Sequence, residues 1–341
     1  MSQPQTTLPD PTPVIDLIEA FRRSKTMFAA VELGIFDELE KGPATAATLS
    51  AQLGADAGAL ERLLDACVGL GFIEKRETQY LNRPIAQTYL CRSSERTLAG
   101  YILYSSKVLF PLWTHLPDAV LEGTHRWKQA FNLEGPIFDH FFQNDEAMRT
   151  FILGMHGFGV LSSPAVVAAF DLSRFRKLVD LGGATGHLAI AACERYPDLR
   201  AVVFDLPRVI EAARQQVSRS PAGPRVELIA GDFFREPLPE ADMFAVGRIL
   251  HDWSEDKIRT LLGKIYGRLP KGGGLLVAEK LLHDDKNGPT PAHMQSLNML
   301  VCTEGQERSL LEYRALLEEA GFKKVEGRFT GAPLDAVLAV K

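Results

Sequence analysis

Cysteine is scarce in this chain, and its spacing organises nothing. Four of 341 residues are Cys, and Cys67, Cys91, Cys193 and Cys302 lie too far apart for a CxxC pair or a zinc-finger pattern. That argues against a disulfide framework and suits a reducing compartment, here read as the cytoplasm. A basic excess is missing too: the net charge is −5, which argues against nucleic acid as the main partner. The opening MSQPQTTLPDPTP lacks the basic-then-apolar order of a signal peptide. No uncharged apolar run reads as long enough to span a membrane. No fixed-period repeat or low-complexity tract occurs. What is present, 46% hydrophobic and 24% charged residues, is an ordinary globular balance with length for one large domain or two ordinary ones.

Two textures divide the chain. After the proline-rich start, Leu17, Ile18 and Phe21 follow Val14 at helical spacing, and the pattern resumes through MFAAVELGIF. TAATLSAQLG predicts a short helix stopped by Gly54, and DAGALERLLDACVGLG a second one capped by Asp56 and stopped by Gly71. FIEKRETQYLN follows as a hairpin. Helix, turn, helix and hairpin make a winged-helix pattern. From Thr45 to Leu90, however, four basic residues (Arg62, Lys75, Arg76, Arg83) face five acidic ones. A packing or dimer-forming module fits that charge better than a DNA reader. Residues 95–165 read as mostly helical and aromatic-rich, with side chains able to line an apolar pocket. Beyond Arg174, strand and helix alternate from KLVDLGG to the closing pair KKVEGRFTGAPLDAVLAVK, the signature of a doubly wound sheet.

Three strand ends in that sheet carry chemistry. VDLGGATGHLA is a glycine turn opening a helix, where backbone N–H groups can meet a ligand. It does not fit the G-x-G-x-x-G of a dinucleotide site. Asp205 ends the next strand, VVFD, where a carboxylate can accept both hydroxyls of a ribose. AGDFF ends the following one, and its Asp232 and Phe233 offer a purine an acceptor and an apolar face. Together these favour an adenosine-containing ligand. A fourth strand end, GRILHDW, places His251 beside Asp252 and Trp253 before the helix SEDKIRTLLGKI. Packing, pairing and proton transfer are all open to that histidine.

Asp180-x-Gly182-x-Ala184-x-Gly186, Asp205 and Gly231-Asp232-Phe233 together resemble the class I S-adenosylmethionine-dependent methyltransferases. GRILHDWSED, SLNMLVCTEGQERS and GAPLDAVLAVK narrow the resemblance to the acetylserotonin (hydroxyindole) O-methyltransferase branch, over nearly the whole chain. The resemblance implies an α/β, Rossmann-like doubly wound sheet with an N-terminal all-helical winged-helix dimerisation domain. The expected division is 1–110 for that domain, 111–165 for a helical linker to the substrate pocket and 166–341 for the catalytic domain. It also implies a homodimer without nucleic-acid or membrane partners.

The implied reaction is metal-independent methylation of a hydroxyl on a small aromatic, a phenol or hydroxyindole, with S-adenosyl-L-homocysteine as the product of the cofactor. A catalytically silent relative that binds S-adenosylmethionine as an interaction module is the alternative. By resemblance, Asp180, Gly182, Gly183 and Gly186 surround the methionine half of the cofactor, and Asp205 with Leu206 takes the ribose. Gly231, Asp232 and Phe233 take adenine, and Arg248 lies near the reaction centre. His251 matches the catalytic base, Asp252 follows it, and Glu307 orients it, with Glu279 as a second carboxylate. A neutral imidazole suits proton removal near neutral pH, and a carboxylate on its other nitrogen fixes the tautomer. Asn298, Met155, His156 and Phe142 are expected to face the substrate. Ala184 departs from a third glycine, and Gly159 stands where relatives can carry a larger aromatic.

Overall fold

The computed structural model describes residues 8–134 and 145–341, the side chains at 145–147, 149 and 150 excepted. The chain forms two compact units, Met1–Ser106 and Lys107–Lys341.

In the first unit, α1 (Thr12–Glu32) opens on Pro13, where no backbone N–H is required. The strand β1 (Ala44–Thr45) leads into α2 (Ala46–Leu53), and α3 (Ala57–Gly69) follows. The caps are the ones the sequence announces. Thr45 Oγ1 accepts from Thr48 N at 3.1 Å, and Asp56 Oδ1 from Ala59 N at 2.8 Å. Gly54 ends α2 at φ 66°. The hairpin β2 (Ile73–Arg76) and β3 (Gln79–Asn82) completes the winged helix. Three shorter helices, Ile35–Glu40, Pro84–Tyr89 and Ala99–Tyr104, complete the unit. The expected all-helical character needs correcting. β1 pairs with β3 to give a three-stranded sheet, β1-β3-β2, because the open edge of a hairpin leaves backbone groups that β1 satisfies. Ile35, Phe36, Leu49, Leu64 and Tyr80 form a dry core. The wing's Lys75 is engaged by acids of α3, with Asp65 at 2.9 Å and Glu61 at 3.4 Å.

The second unit begins with short helices between Phe110 and Phe131, followed by the long α4 (Asp145–Ala168). Then β4 (Lys177–Leu181), α5 (His187–Arg195), β5 (Arg200–Asp205), α6 (Pro207–Arg219) and β6 (Val226–Ala230) alternate. β7 (Met243–Gly247), α7 (Glu255–Arg268) and β8 (Gly274–Glu279) continue the winding. Two-residue strands β9 (Leu281–Leu282) and β10 (Arg308–Ser309) bracket α8 (Thr290–Cys302), a helix that the periodicity did not announce. The chain closes with α9 (Leu310–Glu319), capped by a Ser309–Glu312 capping box, and strands β11 (Lys324–Arg328) and β12 (Asp335–Val340).

These build a seven-stranded sheet in the order β11-β12-β8-β7-β4-β5-β6. The five strands from β8 to β6 are parallel, and β12 runs antiparallel to β8 and β11. Period-two alternation feeds two cores. Val179, Phe244, Val246 and Val277 pack on one face, and Leu178, Ala245, Leu276 and Val203 on the other. Every β8 residue is buried, so its carboxyl end delivers Glu279 into a dry environment.

One sequence expectation fails in α4. Its stretch Phe151–Ala168 is, by length and composition, apolar enough to cross a membrane, with a hydropathy of 1.6. Glycines, serines and a histidine keep the run free of charge without making it lipid-like. The helix packs instead on α5 and buries Val166, Val167, Ser162 and Ser163.

Candidate active site

The carboxyl ends of β4, β5, β6, β7 and β8 carry, in turn, the glycine turn, Asp205, Gly231–Phe233, Arg248 with His251, and Glu279. A parallel sheet opens its crevice at this edge.

The glycine turn hangs on its neighbours. Gly182 N donates to Phe204 O at 2.8 Å, and Ala184 N to Asp205 Oδ2 at 2.9 Å. Asp205 Oδ1 also accepts from Leu206 N at 2.7 Å. Burial pushes the Asp205 carboxyl up to about 6, while those two N–H groups pull it back. Asp180 lies beneath the turn, pushed up to about 7 by burial and by the Asp205 charge. Ala184 adopts φ 50°, a left-handed conformation that glycine takes without penalty and alanine does not. Gly231 N donates to Asp205 O at 2.9 Å. Asp232 Oδ1 caps its own turn by accepting from Phe234 N at 2.8 Å. Phe233 packs on Phe234 at 4.8 Å between centroids, and Phe234 meets Trp253 edge-on. Trp253 is thus a core residue.

His251 sits on a short 3-10 turn, Leu250–Asp252, and is 3% exposed. Local pairing explains how acids 28 and 56 residues away reach it. β9 and β10 pair Leu281 with Arg308, which sets Glu279 and Glu307, just ahead of each strand, side by side. Glu307 Oε1 is 2.6 Å from His251 Nδ1, and Glu279 Oε2 is 3.3 Å from it. Glu279 Oε1 accepts from the backbone N–H groups of Ile249 and Leu250, both at 3.0 Å, so the acid also holds the turn that carries the histidine. Asp252 Oδ1 lies 3.7 Å from Nε2. Burial pushes Glu307 up to about 8, Glu279 to about 7 and Asp252 to about 6, with the Arg248 guanidinium opposing each rise. Arg248 occupies φ 57°, a strained position for a non-glycine residue.

His251, Glu279 and Glu307 offer ligand atoms within 4.8 Å of one another, which is a donor set for a metal ion. Its arrangement is that of a hydrogen bond instead: Nδ1 already faces a carboxylate oxygen at bonding distance.

Of the expected substrate residues, Asn298 is buried on α8 with its Oδ1 accepting from Trp113 Nε1 at 2.9 Å. Met155 is half-buried on α4, and the neighbouring His156 has its Nδ1 2.7 Å from Thr185 Oγ1. Phe142 lies outside the described residues. Two contributors escaped the sequence reading. Gly305 is one: a Cβ there would sit 2.1 Å from His251 O, so only glycine lets the EGQERS segment pass the turn that carries His251. Lys264 is the other, its Nζ donating to Phe233 O, Phe234 O and Glu236 O at 2.6, 3.0 and 2.9 Å. A glycine two residues before a candidate acid was the available hint for the first, and nothing local marked the second.

Residues 113–323 match the model of the O-methyltransferase domain, and residues 15–92 that of the O-methyltransferase dimerisation domain. The chain belongs to the O-methyltransferase family. Bovine acetylserotonin O-methyltransferase is 40% identical over 328 residues, covering 94% of this chain and 95% of that one. A human protein described as a probable bifunctional dTTP/UTP pyrophosphatase/methyltransferase is 41% identical over 340 residues, and the chain spans 55% of its length. The structure of human N-acetylserotonin methyltransferase in complex with S-adenosylmethionine superposes with a TM-score of 0.93 at 36% identity, covering 99% of each chain.

Proposed function

We propose that this O-methyltransferase uses S-adenosylmethionine to methylate a hydroxyl of a small aromatic molecule, a phenol or hydroxyindole, with His251 as the general base. The observation that carries the reading is the 2.6 Å contact between His251 Nδ1 and Glu307. Once ionised, the Glu307 carboxylate only accepts, so Nδ1 then carries the hydrogen and Nε2 keeps its lone pair for the acceptor's proton. Glu307 then stabilises the imidazolium as it forms, and Glu279 fixes the turn. The cofactor, when bound, supplies an electrophilic sulfonium methyl. Its ribose hydroxyls suit Asp205, its adenine suits Asp232 and Phe233, and its methionine half suits the turn of Gly182, Gly183 and Gly186 above Asp180. Leu206 and Gly231 shape that groove, and Arg248 places a cation beside it. Asn298 Nδ2, Met155 and the Nε2 edge of His156 are the groups offered to the acceptor.

The homodimer belongs to the same reading. Leu17, Ile18 and Phe21 on α1 are 53–75% exposed, an apolar stripe within the segment matched by the dimerisation model. Four buried free thiols support a cytoplasmic location.

His251→Ala tests the base. Titration calorimetry should find cofactor binding unchanged, while turnover on a panel of phenols and hydroxyindoles falls by about 10²–10⁴-fold. Turnover equal to that of the parent chain would refute the assignment.

A further inference from the structure

One polar face of α4 enters the chemistry above only through the Nε2 edge of His156. His156, Gly159 and Ser163 recur at spacings of three and four, and so share a side of the helix. His156 meets the turn between β4 and α5, and Gly159 and Ser163 meet His187, the first residue of α5. His156 Nδ1 lies 2.7 Å from Thr185 Oγ1, and His187 Nδ1 lies 2.8 Å from Ser163 Oγ. Between these two bonds the His187 ring rests on Gly159. A Cβ at Gly159 would stand 2.2 Å from that ring, so glycine is what lets the helix come this close. Gly159 therefore has a packing partner, supplied by the glycine turn's own helix.

The turn needs an outside anchor. Gly182, Ala184 and Gly186 all adopt positive φ, and in the stretch Gly-Gly-Ala-Thr-Gly only Thr185 has a polar side chain. Thr185 is 1% exposed, and with His187 it flanks Gly186, the N-cap of α5. Burial lowers both imidazoles, His187 to about 3, so near neutral pH each ring is uncharged and offers one donor and one acceptor nitrogen.

We propose that His156, Ser163, Thr185 and His187 form a two-bolt clamp that fixes the glycine turn against α4. Thr185 and Ser163 are then positioning residues for the amino-acid arm of the cofactor. This deepens the proposed function and rests on its cofactor assignment. A turn held in its binding shape spares the ligand the cost of ordering it.

The test compares S-adenosylhomocysteine with 5′-methylthioadenosine, which lacks the amino-acid arm. The first is titrated directly by calorimetry and the second by competition against it, using the full chain. Thr185→Val keeps the branched shape and removes the hydroxyl. It should weaken S-adenosylhomocysteine by about threefold to tenfold, the worth of one buried hydrogen bond, and leave methylthioadenosine unchanged. Ser163→Ala should do the same, and Thr185→Ser should restore parental affinity. Equal weakening of both ligands, no weakening of either, or a Thr185→Ser variant no better than Thr185→Val would overturn the clamp. A parent chain that binds neither ligand would overturn the cofactor assignment itself, and the clamp with it.

Discussion

Replacing Glu307 with Gln should make the protein more stable at alkaline pH while making it a worse catalyst. Glu307 is 1% exposed, and burial raises its carboxyl from 4.5 to about 8 despite the cations of Arg248, Lys280 and Arg308. In the unfolded chain a glutamate is ionised above about 4.3. Between pH 6 and the folded value, the native state therefore holds a proton that the unfolded state has lost. Stability must fall as pH rises through this window and level off above about 8. At roughly 1.4 kcal/mol per pH interval, this one group accounts for about 3 kcal/mol of loss from pH 6 upward. Glutamine has no proton to lose and should escape that slope. Part of the gain is shared, because Glu279 is itself raised by the Glu307 charge and ionises more easily without it. With about 2–4 °C per kcal/mol for a unit of this size, the variant's Tm should gain about 6–12 °C on the parent between pH 6 and pH 9. Thermal unfolding of both chains at both pH values measures this double difference, which cancels any fixed cost of the amide. Parallel Tm-against-pH lines would refute the claim that Glu307 is held above its ordinary range.

Turnover should rise with pH through about 7 to 8, because Glu279 and Glu307 must ionise before Nδ1–H is held and Nε2 is freed; a flat kcat profile from pH 6 to 9 would contradict this. Ala184→Gly should relieve the left-handed strain at φ 50° and raise Tm by about 2 °C, roughly 1 kcal/mol, which differential scanning calorimetry would detect; a lower Tm would show the alanine to be the better fit. Leu17→Asp with Phe21→Asp should convert the proposed homodimer to monomer in sedimentation velocity, since both side chains stand exposed on α1; a dimer that survives both changes would place the interface elsewhere.

The sheet was legible because its strands are apolar runs ending in punctuating residues: Gly-Gly after β4, Asp205 at the end of β5, Gly-Asp after β6. The caps at Asp56 and Gly54 were legible for the same local reason. α8 was not, because Thr290–Cys302 is partly buried around most of its circumference and lacks a single apolar stripe. The wing's third strand has two residues, too few for any pattern. In the site, His251 and its acids could be named from motifs. Their meeting depends on the β9–β10 pairing, a contact between residues 27 apart that no window of sequence contains. The partnership of Gly159 with His187 was hidden likewise, since an absent side chain gives no sign of what fills its place.

Lys264 spends all three ammonium hydrogens on the carbonyls beyond β6, and α7, which carries it, starts three residues after Asp252. A single rod thus runs from the turn that carries His251 to the segment bearing Asp232 and Phe233. Sliding that rod by a fraction of an ångström would shift both ends together. That makes α7 the datum line between the His251 turn and the end of β6.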